Sequence, residues 1–515
     1  MAHKLTKEAS RRVSTPQRLV SAPRIGIAAV LLAFFLYFFR LSGTGLLGPD
    51  EPRYEAIGRE IARSGDWITP RLWGQPWFEK SPWLYWMAGV GFRLGLSEEL
   101  APRVPVAFLS VAFLAFFYWS LRREFSGRPA LFSTAILGTS AGWLAYSYTA
   151  VTDLPMSVFF SAAMLSGMAW LRTGAKRSLI LAAGLLGVAV LAKGFVPLAL
   201  AIPFAWIARR RMREMVSVSP VLTFLAIAAP WYALCWARNG AVFWRTIFWE
   251  QQVGRFTSTA LQHAQPVWFY LPVFAALLFP WTPAAALLFR RETYSDERRI
   301  LLLLWLAIGL VFFSMATNKL PGYVLPLLPP AAALIGIGLS EANARWVVPA
   351  SAAMLCLIGP VAAMLPQLLA VGFSRSHLPA WSFNWLLPLA LVPVVWRVPR
   401  SIAVFLTAIA LTAGVIYIKI ASFPAIDAAY SARPLWRQIA PAPDSVCLEE
   451  LPRNWRLGLN YYSVTPLPDC AQTPRPVHVT QLPGGAPAIS RRSRSDAWVV
   501  ALRCRLGLTS ASPAL

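Results

Sequence analysis

The sequence predicts an α-helical polytopic membrane protein, and three observations predict it. Of 515 residues, 57% are hydrophobic and only 14% charged, too few charges to coat several water-facing domains. The mean hydropathy is +0.52. The apolar residues form runs close to membrane-spanning length, with basic clusters between them. A net charge of +25 would suggest nucleic acid in a soluble protein, but no RNA- or DNA-binding motif or aromatic-basic platform accompanies it. No nucleic-acid partner is therefore expected. Five cysteines without a CxxC pair and four histidines exclude a zinc-finger, iron–sulfur or haem framework of the usual spacing.

The first apolar run, 25–41, follows a basic tail over 1–24 and is trailed by no small-residue cleavage site, so it reads as a permanent helix rather than a signal peptide. Further runs cover 104–121, 130–149, 154–171, 179–192, 195–208, 216–236, 267–289, 301–315, 321–339, 346–370, 381–396 and 402–420, thirteen in all. The pair either side of Lys193-Gly194 is short and reads equally as two crossings or one re-entrant hairpin, with no change of side. The stretch 83–96, rich in Trp and Gly, is read as an interfacial or buried helix, because a crossing there would invert every later basic cluster.

Basic residues mark the cytoplasmic side. The tail, Arg122-Arg123-Arg128, Arg172-Lys176-Arg177, Arg209-Arg210-Arg211-Arg213, Arg290-Arg291-Arg298-Arg299, Arg345 and Arg397-Arg400 all fall on one face. The expected organisation is a cytoplasmic tail (1–24), a membrane domain (25–420) with outer loops 42–103 and 237–266, and a small α/β outer C-terminal domain (421–515). In that domain 445–449 and 497–502 read as short strands. Cys447 and Cys470 there could pair in an oxidising compartment, leaving Cys504 over; three free thiols is the competing reading.

The ionisable residues hardest to explain structurally lie on the outer face. Asp50 and Glu51 are bracketed by Pro49 and Pro52, which stiffen the turn. One acid is free to act while Arg53 or Arg59 holds the other; the plainer alternative is a helix start with Asp50 capping and Glu51 in the first turn. Lys80 enters a very apolar stretch, where an ammonium needs an anion such as a lipid phosphate or must snorkel to the headgroups. Lys193 in its helix break reads equally as channel-lining or interfacial. His263 is a lone polar-loop histidine, and most of the tryptophans form an aromatic belt.

The run Asp50-Glu51-Pro52-Arg53-Tyr54, followed by Gly65-Asp66-Trp67-Ile68-Thr69-Pro70-Arg71 and Phe78-Glu79-Lys80-Ser81-Pro82, resembles the first outer loop of the polyprenyl-phosphate-dependent GT-C glycosyltransferases. Aminoarabinose-to-lipid A transferases are the nearest members and protein O-mannosyltransferases more distant kin. Thr152-Asp153-Leu154-Pro155, Leu191-Ala192-Lys193-Gly194, Trp249-Glu250-Gln251-Gln252-Val253-Gly254-Arg255-Phe256 and Lys319-Leu320-Pro321-Gly322-Tyr323-Val324-Leu325-Pro326 match as well, in family order across 42–326. Ser81 departs from the pattern, which usually has proline there.

The resemblance implies a GT-C fold of about thirteen transmembrane helices in a bacterial inner membrane, and a site handling an undecaprenyl-phosphate-linked sugar. Asp50 is similar to the family's catalytic carboxylate, a general base or a stabiliser of positive charge at the anomeric carbon, and Asp153 would lie beside it, sharing the acceptor or orienting Lys80. Lys80 and Arg255 resemble the cations on the lipid phosphate, with Tyr323, Arg53, Tyr54 and Lys319 completing its surroundings. The resemblance also places Glu79 and Glu250 where a divalent metal ion would bind, but two carboxylates without a nearby His make a poor zinc site, and a surface ion pair is the plainer reading. The expected acceptor is lipid A or another envelope glycolipid, with a secreted protein as the alternative, and membrane lipid surrounds the chain. A lipid-linked sugar transporter or flippase is the other function class. Carriers, however, concentrate ionisable residues at the midplane, and here they sit in outer loops.

Overall fold

A computed structural model describes residues 22–254, 265–372, 375–482 and 485–491. Arg255, His263, Cys504, the expected strand 497–502 and the tail up to residue 21 lie outside the described residues. The chain is almost wholly helical, and each of the thirteen apolar runs falls on helical segments. Among the described residues, seven helices are long and apolar enough to cross a membrane, or eight if the pair Val267–Leu277 and Thr282–Phe289, bent by 117°, is one span. The fold is that of a multi-pass membrane protein.

Several of the runs are broken where composition permits. The run 130–149 divides at Thr139-Ser140 into helices Gly127–Gly138 and Ala141–Tyr148, both polar side chains bonding back to helix carbonyls. Helix Lys176–Lys193 ends at Gly194, whose φ of 72° only glycine adopts without strain. The chain then resumes in two short pieces, Val196–Leu200 and Ile202–Ile207. Helix Trp83–Arg93 is short, as the sequence indicated, and packs against Asp50–Ser64 and Leu100–Phe125. Gly58 makes the first of those contacts possible, since a Cβ there would lie 2.6 Å from Cβ of Ala88.

The charge clusters segregate toward opposite ends. At one end Glu124 pairs with Arg172 at 2.9 Å and with Arg298 at 3.7 Å, joining two basic clusters far apart in sequence. At the other, helix Asp50–Ser64 lies under a small C-terminal unit. Arg59 donates to the Tyr461 carbonyl at 2.6 Å and stacks on its ring, and the Tyr461 hydroxyl reaches the Glu98 carbonyl at 2.9 Å. That unit holds a three-stranded sheet: Val446–Leu448 runs parallel to Val477–Thr480, which is antiparallel to Ala488–Arg491. The first strand is close to the expected 445–449; the other two carried too short an alternation to stand out. Cys447 and Cys470 form a disulfide.

Candidate functional site

Adjacent acids on a helix point about 100° apart, and here that angle separates two environments. Asp50 and Glu51 both occupy the first turn of Asp50–Ser64, where the helix dipole favours negative charge; the residue that precedes the helix is Pro49, so neither acid caps it. The Glu51 carboxylate is saturated. It accepts from the Leu47 and Ala150 amides at 2.7 and 3.1 Å and from Arg103 Nε and Nη2 at 2.8 and 2.9 Å. Arg103 spends its remaining donors on the carbonyls of Leu41, Thr44 and Gly45. The sequence had assigned the holding of the second acid to Arg53 or Arg59. Arg103 does it instead, because a guanidinium at the start of Leu100–Phe125 reaches both Glu51 and the Leu41, Thr44 and Gly45 carbonyls of the 41–45 turn.

Asp50 is different: its side chain is 44% exposed whereas that of Glu51 is 1% exposed. Its Oδ1 takes Arg53 Nη2 at 2.5 Å, three residues along the same helix face. Arg53 is buried and reaches Glu79 with Nη1 at 2.8 Å, its guanidinium lying over Tyr54 and Trp77. Burial alone would lower the Arg53 pKa, but Tyr54, Glu79 and Asp50 hold it above its ordinary value. Glu79 in turn lies 3.8 Å from Lys80 Nζ.

The second half of the site comes from a helix hairpin. Asp153 opens helix Asp153–Thr173 and Lys193 closes Lys176–Lys193, each charge at the helix end whose dipole it complements. They meet at 2.5 Å, and the ammonium lies 4.5 Å from the Tyr323 ring. The Lys-Leu-Pro-Gly-Tyr turn approaches closely because residue 322 has no side chain; a Cβ there would stand 2.6 Å from Asp153 Oδ1 and 2.7 Å from the Tyr146 hydroxyl.

The two halves face one cavity of about 100 Å³, whose lining combines Glu79, Lys80, Ser81, Lys193, Gln251 and Tyr323 with apolar side chains that include Phe312 and Phe313. Ser81 shares a 2.9 Å hydrogen bond with Tyr232, fixing the Lys80 segment to helix Val218–Trp244. A larger, almost wholly apolar cavity of about 720 Å³ lies elsewhere; among the described residues Lys419 is its only charged lining residue, and the Leu36 and Phe39 carbonyls occupy that ammonium.

Of the residues the sequence singled out, Asp50, Arg53, Tyr54, Glu79 and Lys80 thus form one chain of contacts, and Asp153 and Tyr323 another. Asp153 pairs with Lys193, which sequence reasoning left between two roles; its position between a helix end and a positive-φ glycine was the available signal. Lys319 is placed differently from expectation: its ammonium donates to the Gln265 and Ala316 carbonyls at 2.8 and 2.6 Å, pinning its own turn. Glu79 and Glu250, expected at a divalent metal ion, each sit beside cations. Glu79 faces two cations, and Glu250 is a half-exposed partner of Arg245 at 3.4 Å. Among the described residues the only three-ligand cluster of metal-binding type is Cys447, Cys470 and His478, whose cysteines are bonded to each other.

A family model described as dolichyl-phosphate-mannose-protein mannosyltransferase matches residues 79–236. An undecaprenyl phosphate-alpha-4-amino-4-deoxy-L-arabinose arabinosyl transferase of Pectobacterium carotovorum is 32% identical over 375 residues, 68% of this chain and 66% of that protein. Its counterpart from Serratia proteamaculans is 35% identical over 332 residues, 60% of this chain and 59% of that protein. The match therefore spans just under two thirds of these relatives' own lengths. The crystal structure of ArnT from Cupriavidus metallidurans bound to undecaprenyl phosphate has the same fold, with a TM-score of 0.74 at 23% identity, over 93% of this chain and 95% of that one.

Proposed function

Starting from a chain that belongs to the GT-C, aminoarabinose-transferase-like family, we propose that it moves a sugar from an undecaprenyl-phosphate donor to lipid A or another envelope acceptor. The observation that carries this reading is the convergence of Lys80, Lys193 and Tyr323 on one cavity, with the half-exposed carboxylate of Asp50 one guanidinium and one carboxylate away. Lys80 and Lys193, with Arg255, hold the lipid phosphate and stabilise it as leaving group. Asp153 orients Lys193, and Tyr323 flanks the phosphate. Arg53 aims Asp50 by one oxygen, and the other has no protein partner among the described residues. That oxygen takes the proton of an acceptor hydroxyl or, with an ionised acceptor, stabilises charge at the anomeric carbon. Tyr54 supports the Arg53 guanidinium rather than touching the donor. The family model's description favours a second reading, transfer to a protein.

The proposed setting is the inner membrane, with thirteen crossings, a cytoplasmic N-terminus and residues 421–515 as a periplasmic α/β domain. The basic clusters around Glu124 support that orientation. A cysteine placed at Ser64 is expected to react with a membrane-impermeant thiol reagent in outer-permeabilised cells, and one at Arg211 is not.

The reaction is tested by supplying purified protein with undecaprenyl-phosphate sugars and measuring release of undecaprenyl phosphate. Asp50→Asn is expected to lower turnover by about a hundredfold or more without loss of folded protein. Unchanged turnover would remove Asp50 from its role. Mass spectrometry of envelope lipids with and without the gene separates a lipid acceptor from a protein one.

A further inference from the structure

A polar recess of about 490 Å³ lies apart from the Lys80 cavity, lined by Arg40, Arg433, Arg437, Ser42, Ser97 and Glu99 among others. It sits where two apolar helices end: Arg40 is two residues beyond the turn Phe34–Phe38, and helix Phe423–Tyr430 follows directly on Arg400–Ala421. Such a place is the level of lipid phosphates.

The three arginines are not equivalent. Arg433 is committed, donating to Asp427 Oδ2 at 2.8 Å, to Glu99 at 3.3 Å and to the Ser42 and Gly43 carbonyls at 3.0 and 3.3 Å. It builds the wall. Arg40 and Arg437 have no ion pair or side-chain hydrogen bond among the described residues, and three cations against two carboxylates leave the recess positive. Arg40 also holds a left-handed φ of 50°, a conformation that is costly for any residue with a Cβ and persists only where the surroundings impose it. They do: Gly43 N bonds the Arg40 carbonyl at 2.9 Å, and a Cβ on Gly43 would strike the Phe423 ring at 2.7 Å.

We propose that this recess binds the phosphate of an anionic lipid headgroup, with Arg40 and Arg437 supplying charge-assisted hydrogen bonds and the Ser42 and Ser97 hydroxyls neutral ones. The site is separate from the one for the sugar donor and does not depend on the reaction proposed above. It would fasten the first and last apolar helices, and through Arg433 the C-terminal unit, to the membrane surface.

Native mass spectrometry of the purified full-length protein, titrated with phosphatidic acid, phosphatidylglycerol or phosphatidylcholine, tests this. The two anionic lipids should be retained and the zwitterionic one not. Arg40→Ala with Arg437→Ala should weaken anionic lipid binding by about tenfold or more, while undecaprenyl phosphate still binds. Arg437 is exposed, so Arg437→Ala alone, checked for an unchanged melting temperature, should show part of that loss. Three results would overturn the proposal: equal retention of all three lipids, no loss in the double variant, or an equal loss in the control Arg453→Ala, an exposed arginine at the start of helix Arg453–Tyr462 and outside the recess lining, which would mean diffuse surface charge. Complete displacement of the lipid by millimolar inorganic phosphate would overturn the lipid assignment in favour of a free anion.

Discussion

Asp50 and Glu51 are neighbours in the chain and opposites in the structure. Glu51 has four donors around it and no route to solvent; Asp50 has one donor and open space. The difference teaches that a carboxylate's charge says little about its use until its hydrogen-bond capacity is counted. A saturated acid is a fastening. An acid fixed by one oxygen with the other bare keeps the capacity to accept a proton or a hydrogen bond.

Substitution should split the pair cleanly. Arg103→Met leaves the Glu51 carboxylate buried without its cation, and should destabilise the fold by about 3–5 kcal/mol, seen as a lower melting temperature and a smaller yield of monodisperse protein. Asp50→Asn, in contrast, should lose turnover while melting normally. If both variants lost only turnover, or both lost only folded protein, the distinction would collapse.

Gly322→Ala should come next. The added Cβ meets the Asp153 carboxylate and Tyr146, so the Asp153–Lys193 pair must shift. A loss of about tenfold to a hundredfold in turnover, with a modest drop in melting temperature, is expected for a displacement of that order. Wild-type turnover would show that the pair's position does not matter.

Ser81→Ala is a smaller probe of the same half. Removing one partner of the buried bond to Tyr232 should cost about 1 kcal/mol of stability, with little change in turnover. A large rise in the apparent KM for the lipid donor would instead mean that this bond positions Lys80.

The smallest effect concerns Glu55, one helical turn from Glu51 and wholly buried, with neither oxygen hydrogen-bonded. Burial, and then the charge of Glu51, push its pKa well above the ordinary carboxylate range, against the pull of Arg103. A raised folded-state pKa favours the native state fully at acid pH, and that advantage is lost as pH rises above the unfolded value. Glu55→Gln should therefore raise the melting temperature at neutral pH, with a gain that fades as pH falls through the ordinary carboxylate range. A gain independent of pH would mean that Glu55 is not the titrating group.

Much of this was legible in the sequence. Runs of apolar residues have few options in a bilayer, because every backbone polar group must be bonded within its own segment. The helical segments, the break at Lys193-Gly194 and the short helix after Pro82 could therefore be read locally. Asp50 and Lys80 could be named as candidates from the mismatch of their charges with their surroundings, whereas Asp153 and Tyr323 were named only because their motifs resemble those of the GT-C family. What each charge does was decided only by the tertiary structure. Arg103 holds Glu51 across 52 positions, Lys193 meets Asp153 across 40, and Lys319 donates to the nearby Ala316 carbonyl and, across 54, to that of Gln265. Hydrophobic patterning is a property of consecutive residues, whereas the partner that saturates a buried charge is chosen by packing between distant ones.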